Sequence, residues 1–135
     1  MHSKKIRIST LVMLLLFVSV SGPALASWKS MGESEVSTVY YETDGMAKEG
    51  GKVRLWSLID LKAPDRSGFP TFTSSKAQTE FDCQERKSRV LSFAWYSGNM
   101  GGGDVVAQRT DVANWESVSR DTVLGKLWRI ACGER

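Results

Sequence analysis

Histidine is almost missing from this sequence: His2 is the only one, and it stands in an N-terminal leader. Without imidazole in the rest of the chain, Ser-His-Asp and Cys-His catalysis and the usual zinc or copper sites are excluded. Cysteine is scarce as well. Cys83 and Cys132 are the whole complement and do not form a Cys-x-x-Cys motif, which argues against a catalytic redox pair. The glycine-rich stretch "GNMGGGD" is not followed by Gly-Lys-Ser/Thr, so neither a P-loop nor a dinucleotide fingerprint is present. Long apolar runs are also lacking. The run from Leu11 to Val20 is about half of the roughly 20 residues that a membrane-spanning helix needs.

What the chain does have begins with that leader. Lys4, Lys5 and Arg7 precede the apolar run, and Ala24-Leu25-Ala26 precede Ser27. This is the pattern of a secretory signal peptide over residues 1–26, followed by one small domain over residues 27–135. Ser27 occupies the position where a lipid-anchored bacterial protein needs cysteine, so no stable membrane anchor is expected. The expected location is periplasmic or secreted, with surface association open. The chain carries 18 Lys and Arg against 15 Asp and Glu, and three of the basic residues lie in the leader with no acidic one. The domain is therefore balanced in charge, and its basic pI gives no support for a nucleic-acid partner.

Period-2 patterning dominates the domain. "VSTVYYE", Val36 to Glu42, is β-branched and aromatic, and "TDG" reads as its turn. "GGKVRLWSLIDLK" is apolar on both faces around Trp56, as in a central strand. Ala63 to Gln78, with two of the three prolines, reads as a long surface loop. "TEFDCQERKSRVLSFAWYSG" is too long for one strand. Phe81, Cys83, Leu91, Phe93 and Trp95 share one parity, and a turn is expected near Arg86 to Ser88. "SGNMGGGD" is then a hairpin loop with a flexible tip, and "VVAQRT" the next strand.

Near the C-terminus the period changes. Val123, Leu124, Leu127, Trp128, Ala131 and Cys132 recur at helical spacing, with Ser119 as a plausible N-cap, Asp121 in the first turn and Gly133 at the stop. Cys132 lies on the inward stripe of this helix and Cys83 on the apolar parity of its strand. In an exported protein two such cysteines most simply form one disulfide. The expected fold is α+β: an antiparallel β-sheet of about five to six strands with a C-terminal α-helix packed on it and tied by that disulfide.

An ordered set of short motifs runs through the domain: Trp28, "YY" before Asp44, "VRLW" with Asp60 after it, "SSK" before "EFDC", Arg86 and Arg89, then Tyr96, "MGGGDVV", Trp115 and "DTV…LWRIAC". In this set the chain resembles the surface-adhesin protein E family. The resemblance implies a sheet with a disulfide-tied terminal helix. It also implies adhesin-like binding of protein ligands, host matrix proteins such as vitronectin and laminin among them, without cofactor, metal or catalysis. In the matched positions it implies structural roles, with Trp56 and Trp115 in the core and Gly101 and Gly103 in turns. A soluble periplasmic accessory protein, an envelope-enzyme inhibitor or assembly factor, is the alternative.

Candidate contact residues follow from exposure arguments. Phe69 and Phe72 stand among polar residues of the expected loop. Tyr41 and Tyr96 belong to pairs of adjacent aromatics, Tyr40-Tyr41 and Trp95-Tyr96, one of each pair facing outward. Arg86 and Arg89 of "RKSR" could receive polyanions, with Glu80, Asp82 and Glu85 cancelling much of their field. Glu80 and Asp82 lie two apart on one strand face, the spacing of paired carboxylates for hydrolysis, although cross-strand pairing with Arg86, Lys87 or Arg89 is the expected use.

Overall fold

The computed structural model describes residues 27–133; the expected signal peptide lies outside these described residues. Strands β1 (Trp28–Glu33), β2 (Ser37–Glu49), β3 (Lys52–Asp65), β4 (Phe72–Asp82), β5 (Lys87–Tyr96) and β6 (Val105–Arg109) follow one another across a single antiparallel sheet. A two-residue strand, β7 (Glu116–Ser117), pairs with the start of β5. Helix α1 (Val123–Cys132) closes the chain. The α+β expectation holds, and β3 is interior to the sheet, as its two apolar faces imply.

Several boundaries differ from the sequence expectations. Strands β1 and β7 were not anticipated, the first because "WKSMGE" has little β-branched character and the second because it is only two residues long. Thr43-Asp44-Gly45 is no turn. Strand β2 runs through it with a register irregularity between Glu42 and Ala47 and turns at Gly50 and Gly51, both at positive φ. The long loop shrinks to residues 66–71, because β3 continues to Asp65 and the Ser/Thr-rich start of β4 is paired and buried at Thr73 and Ser74. The β4–β5 turn lies at residues 83–86, earlier than expected, since Asp82 Oδ1 accepts from the Gln84 and Glu85 amides and Arg86 takes φ 46°. One parity does not persist along β5. Val90 pairs with Thr79 and Ser92 with Gln78, so Leu91 is the extra residue of a bulge.

Helix α1 starts later than Ser119. Thr122 is the N-cap, its Oγ1 accepting from the Gly125 amide at 3.0 Å, and Asp121 precedes the helix. The residues before the cap instead fold against the helix. A Cβ on Gly125 would meet the Ser119 and Arg120 carbonyl oxygens at 2.3 and 2.5 Å. Glycine is thus required here by close backbone approach. The helix stops at Gly133, in the left-handed conformation, with its amide donating to the Arg129 carbonyl.

One face of the sheet receives the helix. Val53, Leu55, Phe81, Val118, Leu127, Trp128 and Ala131 form the buried cluster. Fully burying each large member contributes about 1.5–3 kcal/mol. The Trp128 indole N–H donates to the Asp82 carbonyl at 2.9 Å, which satisfies the polar edge of a buried ring. The Cys83–Cys132 disulfide joins the β4–β5 turn to the last turn of the helix, with Cα atoms 5.5 Å apart. Trp56 and Trp115 do not belong to this core. Both are half-buried, and Trp56 alternates with Leu55 and therefore faces away from the helix.

Candidate functional site on the helix-free face

Alternation along the strands decides what the second face carries. Residues paired across it include Trp28 with Glu42, Glu42 with Trp56, and Trp56 with Gln78. The neighbouring row pairs Ser30, Tyr40, Leu58, Lys76 and Ala94 in sequence. Trp28, Tyr40, Trp56 and Tyr96 are half-buried, spaced by polar side chains. Leu58 is fully buried although it faces away from the helix, between Tyr40 and Lys76 in register. No α-helix covers this face among the described residues: α1 packs on the opposite one, and only the short 3-10 turn Asn99–Gly101 lies over one end of it.

At one end lies an ionic cluster. Glu80, 4% exposed, is gripped by Arg54 Nε at 3.2 Å and by Arg89 Nη2 at 2.7 Å. Burial raises the Glu80 pKa, but the hydrogen bonds and charges of Arg89 and Arg54 together outweigh it and hold the carboxyl below its ordinary range. The Arg89 guanidinium also lies 4.5 Å from the Trp115 ring centre. A hollow of about 300 Å³ opens beside the cluster, lined by Lys48, Lys52 and Arg54 among others. Asp82 is spent on the backbone of its own turn. The two carboxylates are therefore not a free acid–base pair. Arg89 takes the cross-strand partner role expected of it, and Arg54 is a second partner that the sequence reading did not name.

At the other end the glycine-rich hairpin folds down onto the sheet. Asp60 Oδ1 accepts from Asn99 Nδ2 at 3.0 Å and from the Met100 amide at 2.7 Å. Ser74, fully buried, donates its hydroxyl to the Gly98 carbonyl and accepts from the Gly101 amide. The expected flexible tip is thus pinned by two side chains from β3 and β4. Gly101, at φ 73°, lies against the stem of Lys76; a Cβ there would fall 2.3 Å from Lys76 Cε. Lys76 Nζ stands 5.4 Å from the Tyr96 ring centre and 5.7 Å from that of Trp28. Trp28 is three strands away, about 14 Å on a flat sheet, a gap bridged by the two long side chains above the face.

The other candidate contact residues are dispersed. Phe69 is 99% exposed at the tip of the β3–β4 connection. Phe72 begins β4 and stacks on Trp95 with ring centres 4.5 Å apart. Tyr41 packs against the helix-side core, and Arg86 lies over Trp128 in the β4–β5 turn. Tyr96 and Arg89 share the helix-free face but lie at opposite ends of it, so the structure does not bring the six together. Sequence reasoning missed Trp28, Trp56, Lys76 and Asp60 as members of this surface. The signal for Trp56 and Asp60 is the even parity of β3, and for Lys76 that of β4, which the turn-like composition of residues 63–78 hides.

The profile of the family described as Surface-adhesin protein E matches residues 28–133. No match is found among curated proteins. Among solved structures, crystal form II of Haemophilus influenzae protein E is similar at a TM-score of 0.58 and 14% identity, over 70% of this chain and 80% of that one. Protein E from non-typeable Haemophilus influenzae is similar at a TM-score of 0.57 and 13% identity, over 77% and 75%. At such identities the likeness to these structures concerns the fold. The profile match spans nearly the whole described domain, and the chain belongs to the surface-adhesin protein E family.

Proposed function

We propose that this protein is an exported, non-catalytic, adhesin-like binding module whose ligand-contacting surface is the helix-free face of the sheet. Family membership supports the adhesin-like class. The observation that carries the choice of surface is the set of half-buried aromatics, Trp28, Tyr40, Trp56 and Tyr96, on a face with no α-helix over it among the described residues. Aromatics that present ring area at little entropic cost are the usual anchors of binding surfaces. A signal peptide over residues 1–26 would deliver the domain across the inner membrane, where the disulfide can form. The ligand class is a protein or another component of an extracellular matrix.

Cell fractionation and capture test this reading together. The protein is expected in the medium or at the outer surface, and the purified exported chain is expected to bind immobilised matrix extract. Recovery only from the periplasm, with capture of an envelope enzyme and not of matrix, would replace it with the accessory-protein reading.

A further inference from the structure

Lys76 is unusual among the lysines of the helix-free face. Its stem is fixed against Gly101, and its ammonium is flanked by the rings of Tyr96 and Trp28. Among the described residues it makes no ion pair. Asp60, the carboxylate on the adjoining strand, is already engaged by Asn99 and the Met100 amide. An ammonium has three donors and no acceptor, and ring faces satisfy its charge without accepting those hydrogen bonds in ordinary geometry. The group is therefore prepared for an anion that arrives from outside.

We propose that Lys76 is the charge-reading centre of a site for a polysaccharide that bears carboxylates on its sugars, of the uronate type. The inference rests on the helix-free face being the binding surface and names what that surface recognises. Three features select this ligand. A single cation between rings matches one carboxylate on a sugar, whereas a sulfated chain calls for several cations together. The half-buried rings of Tyr40 and Trp56, which the ammonium does not cover, offer area to the apolar face of a pyranose, and polar neighbours such as Gln78 to its hydroxyls. The aromatics extend from β1 to β5, which suits a chain lying across the strands more than a terminal sugar. The Gly101 backbone holds the lysine stem in place, so the ammonium is positioned before the ligand arrives.

The test is calorimetric titration of the protein, purified as the cell exports it, with hyaluronan oligosaccharides. Neutral chito-oligosaccharides, heparin, sialyllactose and an acidic peptide serve as comparison ligands, and Lys76→Met and Lys76→Arg as variants. The expected result is binding of hyaluronan oligosaccharides and not of the neutral ones, weakened about tenfold or more by Lys76→Met and largely kept by Lys76→Arg. An unchanged near-ultraviolet circular dichroism spectrum shows that the variant is folded. Equal affinity for neutral sugars, indifference to Lys76→Met, or preference for heparin, sialyllactose or the acidic peptide would overturn the proposal. Matrix capture that is lost in Trp56→Ala while hyaluronan does not bind would sink the uronate ligand and leave the binding face standing. Capture indifferent to Trp56→Ala would remove both.

Discussion

At the scale of single residues, two positions show how neighbours override intrinsic preference. In a free helix alanine is favoured over glycine by about 1 kcal/mol, so the propensity argument predicts that Gly125→Ala stabilises. The carbonyls of Ser119 and Arg120 at 2.3 and 2.5 Å from the added methyl reverse that. Denaturant titration is expected to show a loss of roughly 1–3 kcal/mol. Gly45→Ala, with nothing within 4 Å of its Cβ, is expected to be close to neutral. Glu80 is the second case. Its carboxyl is held below the ordinary value of 4.5 in the folded state, so its contribution is fully present above that value and fades as the pH falls through the folded pKa. Glu80→Gln is expected to cost roughly 1–3 kcal/mol at neutral pH. That gap should close in acid, as read from denaturation at a series of pH values. A gap that widens in acid would contradict the assignment.

Elements bring in what no single residue carries, and here the sequence was legible to differing depths. The helix over residues 123–132, most of its inward stripe and its tie to Cys83 could be read directly, because helical periodicity and a lone pair of cysteines behind a leader-like N-terminus are strong signals; Val123, counted in that stripe, is exposed at the first turn. The position of the N-cap was not legible: cap preference favours Ser119 over Thr122, but residues 119 and 120 fold against Gly125 and the helix starts after Thr122. The start of β4 was read as loop because "TSS" resembles turn composition. Its pairing with β3 and β5, and the burial of Ser74 under the glycine hairpin, are long-range facts. Two consequences are measurable. Replacing Cys83 and Cys132 with serine removes the tie across 49 residues of sequence and should cost about 2–5 kcal/mol. Asp60→Ala should free the hairpin, seen as faster amide hydrogen exchange at Met100 and Gly101 with exchange in the helix unchanged.

For the molecule as a whole, the sheet separates two tasks. One face packs against α1 and the disulfide and maintains the fold; the other has no α-helix over it among the described residues and carries aromatic rings, one aromatic-flanked lysine and a hairpin pinned over one end. The candidate site was the less legible half in the sequence. Alternation shows that Trp56 and Leu55 point apart, but not which of them the helix will cover. The most direct measurement is therefore capture on immobilised matrix extract by three folded variants side by side. Trp56→Ala and Tyr96→Ser on the open face should each reduce capture severalfold, while Lys126→Ala, exposed on the helix, should leave it unchanged. Loss of capture in Lys126→Ala, with both open-face variants binding as the parent does, would contradict the account.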